Sequence, residues 1–193
     1  MKELTNLFFL IESSKDMDDQ GKIDAVNCAI REFFPCLREM AKQFESIQIR
    51  YSVLEFADNA HWLNIGTDIE SGGWIDISVS GKCCRGKAYV ELAKKLTRDI
   101  EGGVFAKHCN RTPIIVLITN SQSQDEVTDS LSLLKRNKWF HYSARYVLDL
   151  SGNIDRQELI AFTGSEELIL PASNGFKFLK EEIYRIITSP IIS

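Results

Sequence analysis

Glu12, Ser14 and Asp16 stand at alternate positions directly behind an apolar run, Leu7-Phe8-Phe9-Leu10-Ile11. Asn120 opens a second polar stretch, Asn120-Ser121-Gln122-Ser123-Gln124, behind the apolar residues 113–119. A third segment, Ser80-Gly81-Lys82-Cys83-Cys84-Arg85-Gly86, leads into a helical pattern. Hard divalent cations such as Mg²⁺ take oxygen ligands. Glu12, Ser14, Asp16 and Asn120 are therefore the candidate metal ligands, while Cys83 offers a sulfur that Mg²⁺ disfavours. Loops held by a rigid scaffold carry binding functions disproportionately. Glu12, Ser14, Asp16, Cys83 and Asn120 are accordingly also the candidate interaction surface.

Other chemistries find less support. No Gly-rich turn follows Ile11 to bring backbone N–H groups to a pyrophosphate, and Gly21-Lys22 lacks the flanks of a phosphate-binding loop. Cysteine catalysis needs a base beside the thiol. His108-Cys109 are adjacent in sequence, and His61 and His141 are the remaining histidines, next to Trp62 and Tyr142. Packing or surface placement is the better reading of each. Trp62 and Trp74 flank an acidic, Gly-containing segment and suit either edge packing or an interface.

The elements that would position the three loops can be read from periodicity. Residues 4–11 form a short continuous apolar strand. An amphipathic helix follows, with Ile23, Val26, Ile30, Leu37, Met40 and Phe44 at steps of three and four and Pro35 as a point of distortion. Residues 47–56 alternate as a strand, and residues 61–65 pair back on it as an antiparallel hairpin. Residues 74–79 read as a second short edge piece. A helix over residues 85–100 is stopped by Glu101-Gly102-Gly103. Residues 113–119 are the clearest central strand. Short helices, strands over 143–150 and 168–170, and a closing helix over 176–187 complete the chain. Asp155 with Glu158 has the spacing of a capping box. This order predicts a three-layer α/β/α sandwich with a mostly parallel sheet and one antiparallel edge strand. In such sheets ligands bind beyond the carboxyl ends of the strands, where the three loops fall.

The 193 residues suit a single domain spanning 1–193. A net charge of -4 gives no whole-protein attraction to nucleic acid. The run Leu7–Ile11 is too short to span a bilayer, and no secretory leader is read. Cys28, Cys36, Cys83, Cys84 and Cys109 are odd in number and lack zinc spacing, so free thiols in a reducing cytoplasm are expected.

On the three loops the sequence resembles the von Willebrand factor A (vWA) domain family, in its compact bacterial, tellurium-resistance-associated branch. That family's metal-ion-dependent adhesion site reads Asp-x-Ser-x-Ser after the first strand, a Thr in a turn before a helix, and an Asp after the central strand. Those positions fall on Glu12-Ser13-Ser14-Lys15-Asp16, on Gly81-Lys82-Cys83-Cys84, and on Asn120. Gly86 and Ala88 continue the second motif. Residues 21–27 look like the opening of the family's first helix, and residues 161–165 like its late segment. Of the five site positions only Ser14 keeps the family's residue. The resemblance implies a Rossmann-like vWA fold and a non-enzymatic protein-interaction module with a degenerate, metal-free site and no cofactor. The partners it implies are other proteins, a kinase or phosphatase of a bacterial stress-response or signalling assembly among them. The chain itself is expected as a monomer or weak homo-oligomer. The alternative is a divalent-metal-dependent (Mg²⁺, Mn²⁺ or Ca²⁺) ligand-binding domain with a modified site. A hydrolytic enzyme is the third reading.

Overall fold

The computed structural model describes residues 2–98, 101–105 and 111–188. In chain order the strands are β1 (Glu3–Glu12), β2 (Ile47–Phe56), β3 (Ala60–Asp68), β4 (Ile114–Thr119), β5 (Ala144–Asp149) and β6 (Ile169–Pro171). The helices are α1 (Lys22–Gln43), α2 (Arg85–Lys95), α3 (Thr128–Lys135), α4 (Lys138–His141), α5 (Arg156–Thr163) and α6 (Gly175–Thr188). The strands form one six-stranded sheet in the order β3-β2-β1-β4-β5-β6. All neighbours are parallel except β3, which runs antiparallel to β2 at the edge. The expected three-layer α/β/α sandwich is the fold observed.

β1 explains the layering. Successive side chains of a strand point to opposite faces. Leu7, Phe9 and Ile11 pack with α1 and α6, whereas Phe8 and Leu10 pack with α2, α4 and α5. Both faces are covered, so the strand reads as continuous apolar sequence rather than as alternation. Its last residue, Glu12, follows Phe8 and Leu10 onto the α2/α5 face. The β1–β4 register pairs Ile11 with Ile118, which sets Glu12 beside Thr119.

Three expectations need correction. Residues 74–79 form no strand. The buried Asn27 side chain donates to the Ile77 carbonyl (2.9 Å) and accepts from the Ile77 N–H (3.0 Å) and from Trp74 Nε1 (3.2 Å). One amide thus gives this backbone the partners a neighbouring strand would have supplied. α2 stops at Lys95, before Gly102-Gly103, because the chain leaves helical geometry at Leu96 (ψ 51°). Ile100 lies outside the described residues. α1 continues through Pro35 as one helix. Finally, Asp155 caps α5 by accepting from Gln157 N–H (2.9 Å), but Glu158 does not complete a capping box and instead reaches Arg85. Among the described residues, no helix is long and apolar enough to cross a membrane.

Candidate functional site

The three polar loops meet above the carboxyl ends of β1 and β4, tied by backbone hydrogen bonds. Lys15 N–H donates to the Gly81 carbonyl (3.1 Å) and Ser80 N–H to the Ser13 carbonyl (2.7 Å). Gln124 N–H donates to the Cys83 carbonyl (2.7 Å), and Cys84 N–H to the Ala57 carbonyl (3.0 Å).

Glu12 is the centre of this apex and is fully buried. One carboxylate oxygen accepts from Ser14 Oγ (2.5 Å) and Ser121 Oγ (2.7 Å). The other accepts from Thr119 Oγ1 (2.6 Å), Asn120 N–H (2.7 Å) and Ser121 N–H (3.1 Å). Five donors thus converge on a group with about four lone-pair sites. Burial alone pushes this carboxyl's pKa up. The donors from Asn120, Ser14, Thr119 and Ser121 outweigh burial and hold it below its ordinary 4.5.

The side chain of Arg85, also fully buried, lies across from it. Its Nε and Nη2 grip Glu158 bidentately (2.6 and 2.9 Å). Its Nη1 donates to Thr119 Oγ1 (2.8 Å) and to the Ser121 carbonyl (2.9 Å), with Cys83 Sγ at 3.8 Å. Burial opposes the charge on this guanidinium, and Glu158 more than restores it. Tyr89, stacked on Phe162 with ring centroids 5.3 Å apart, adds a hydrogen bond to Glu158 (3.2 Å). Burial, together with the nearby Glu12, raises the Cys83 thiol's pKa and keeps it neutral.

Of the residues singled out in the sequence, Glu12, Ser14, Cys83 and Asn120 are brought together and buried, while Asp16 has an exposed side chain. Only the Asp16 carbonyl joins the cluster, accepting from Asn120 Nδ2 (3.0 Å). Asn120 Oδ1 is buried with no hydrogen-bond partner among the described residues. Of the five positions expected at an interaction surface, Asp16 alone is exposed. Among the described residues, no three His, Cys, Asp or Glu side chains group as a metal site. Cys28, Cys36, Cys83 and Cys84 are free thiols, and His108 and Cys109 lie outside the described residues. His61 and His141 are exposed. Trp74 is engaged by Asn27, and Trp62 packs edge-on against Phe8, which favours packing over an interface for both.

Sequence reasoning missed Thr119, Ser121, Arg85 and Glu158. Arg85 carried one readable signal, a charged residue opening an otherwise apolar helix face immediately after the second loop. Its Glu158 partner lies 73 residues away and has no local signature.

The third loop also caps α2. Ser123 Oγ accepts from Arg85 N–H (2.8 Å), and the Asp125 carboxylate accepts from the Gly86 and Lys87 N–H groups (both 3.0 Å). A Cβ at Gly86 would lie 2.5 Å from the Glu126 carbonyl oxygen and 2.8 Å from Asp125 Oδ2. Gly to Ala in an open helix gains up to about 1 kcal/mol. Here we expect Gly86→Ala to lose about 1–3 kcal/mol, because the loop backbone must move. Urea denaturation checks the sign, and a variant more stable than the wild type contradicts this packing.

No protein-family model matches the sequence, and no curated protein matches it. Solved structures do match in fold. A von Willebrand factor type A protein from Catenulispora acidiphila is 10% identical, covering 96% of this chain and 43% of that one, with a TM-score of 0.68. Proximal thread matrix protein 1 from the mussel byssus, with a zinc-occupied MIDAS motif, is 15% identical over 96% of this chain and 45% of that one (TM-score 0.62). The pilus adhesin SpaC from Lactobacillus rhamnosus GG is 9% identical over 97% of this chain and 30% of that one (TM-score 0.65). The chain spans less than half the length of each. Its three-layer sandwich, with β3 antiparallel at the edge and three loops closing over β1 and β4, is the fold of von Willebrand factor A domains.

Proposed function

We propose that this chain is a non-enzymatic protein-interaction module of the vWA type whose apex works without a metal ion. The observation that carries this reading is the saturation of Glu12 by five protein donors. A ligating carboxylate must turn lone pairs toward the ion. Here they are turned toward hydroxyls and N–H groups. Ser14 donates into Glu12, Cys83 presents a buried neutral thiol, and Asp16 points away from the cluster, so the arranged donors do not fit a divalent cation. The finer reading belongs to the same proposal: a cytoplasmic protein of the tellurium-resistance-associated bacterial branch. It would bind a kinase or phosphatase in a stress-response or signalling assembly. Its support is the set of loop motifs at Glu12–Asp16, Gly81–Cys84 and Asn120. One observation favours the alternative, a divalent-metal-dependent binding domain: the partnerless buried Asn120 Oδ1.

Asp16 is the exposed reporter of this apex. We expect Asp16→Lys to abolish partner capture from the native lysate while leaving the thermal midpoint within about 2 °C of the wild type, as for a surface change. We expect capture by the wild type to be equal in EDTA and in Mg²⁺. Capture that survives Asp16→Lys and also survives changes at Asn120 moves the interface off the apex.

A further inference from the structure

We propose that the Arg85 guanidinium is the resident cation of this apex, supplying from the chain itself the positive charge that zinc supplies to the MIDAS motif of the byssus protein. The proposal rests on the metal-free reading and identifies what replaces the ion. A buried carboxylate is costly without compensating charge or donors. This apex buries Glu12 completely and Glu158 nearly so, its side chain being 12% exposed. Arg85 lies between them. It pairs directly with Glu158, and it reaches Glu12 through Thr119. The Thr119 hydroxyl accepts from Arg85 Nη1 and passes its single proton toward Glu12, so every hydrogen in the relay has one direction. Four of the five guanidinium N–H groups are thereby used on Glu158, Thr119 and Ser121.

The position matters as much as the charge. Nη1 sits where the second loop (Cys83) meets the third (Ser121) and the end of β4 (Thr119). A metal ion joins loops by attracting their oxygens to one positive centre. Arg85 does the same with hydrogen bonds of fixed geometry, and it adds α5 to the assembly through Glu158. The result is an apex that no chelator can open.

Replacing the cation with a neutral side chain leaves Glu158, the Thr119 hydroxyl and the Ser121 carbonyl around an uncompensated space. These are hard oxygen ligands. The test is Mn²⁺ titration, read from the paramagnetic resonance signal of free Mn²⁺, on the wild type, Arg85→Lys, Arg85→Ala and Arg85→Gln. The expected result is no saturable uptake by the wild type or Arg85→Lys. Arg85→Ala and Arg85→Gln should take up Mn²⁺ saturably at one site, roughly tenfold or more above the residual uptake of the wild type, reversibly with EDTA. Where a neutral variant fails to fold, recovery of its near-ultraviolet circular dichroism by Mn²⁺ but not K⁺ is the same result in another signal. The assignment is overturned, with the metal-free function intact, if folded neutral variants take up no more Mn²⁺ than the wild type. It is equally overturned if an unfolded variant is not recovered by Mn²⁺ while Arg85→Lys folds. Saturable uptake by the wild type overturns both the assignment and the proposed function.

Discussion

Arg85→Met is expected to cost about 3–5 kcal/mol of stability, because it leaves a buried carboxylate without its counter-ion. The wild-type pair is bidentate and the guanidinium has no solvent exposure. Removing it strands Glu158 and also takes a donor from Thr119 and another from the Ser121 carbonyl. The double change Arg85→Met/Glu158→Leu removes both charges together. Apolar replacements of a whole buried pair are often close to neutral. Here the double variant still leaves Tyr89 without its acceptor and Ser121 without its donor, at about 1 kcal/mol each. The two single changes should therefore be strongly non-additive, with a coupling of about 2 kcal/mol or more. Urea denaturation with an unchanged dependence on denaturant measures each corner of the cycle. A coupling near zero means that the pair is not closed in solution.

The second large effect is expected at Glu12. Glu12→Gln turns an acceptor oxygen into a donor facing donors and removes the charge that strengthens five hydrogen bonds. A loss of about 3 kcal/mol is expected. Glu12→Asp places there the residue of the vWA adhesion motif, yet it too should destabilise. The shorter side chain retreats from the Asn120 and Ser121 N–H groups.

The pH dependence has a definite sign. The folded-state pKa of Glu12 lies below its ordinary 4.5 because donors outweigh burial. Its contribution is therefore complete above about 4.5 and is lost as pH falls through the lower folded value. Over that acid window the wild type should lose stability faster than Glu12→Gln. Parallel pH profiles for the two proteins contradict the network drawn around this carboxylate.

The sheet was legible in the sequence because its signals are local. β2 and β4 announce themselves through alternation and a run β-branched at every position but Leu117, and β1 through its fully apolar core. The hairpin to β3 follows from the turn at Ala57-Asp58-Asn59, although the strand proved longer than residues 61–65. Residues 74–79 look strand-like for the same local reasons. Their partner is a single side chain, Asn27, contributed by a distant helix, and no periodicity encodes that. The short α4 was not foreseen either, since one buried Phe140 and a cap from Asn137 leave no helical stripe to read.

The site was legible in position but not in wiring. Glu12, Ser14, Cys83 and Asn120 follow from the rule that loops at strand carboxyl ends converge. Arg85 and Glu158 belong to two helices on one face of the sheet, and only the packed fold brings them together. Glu158 was claimed in the sequence by a capping motif with Asp155. In the fold its carboxylate satisfies a buried guanidinium, which is energetically the more demanding partner.

The most direct measurement of the proposed metal-free apex is calorimetric titration of the wild-type chain with Mg²⁺, Mn²⁺ and Ca²⁺, joined to thermal melting in each ion and in EDTA. Any ion bound only by the folded state must raise the melting temperature by mass action. A metal-free apex gives no saturable heat and no shift at millimolar ion. Saturable binding that disappears in Asp16→Ala or Asn120→Ala contradicts it.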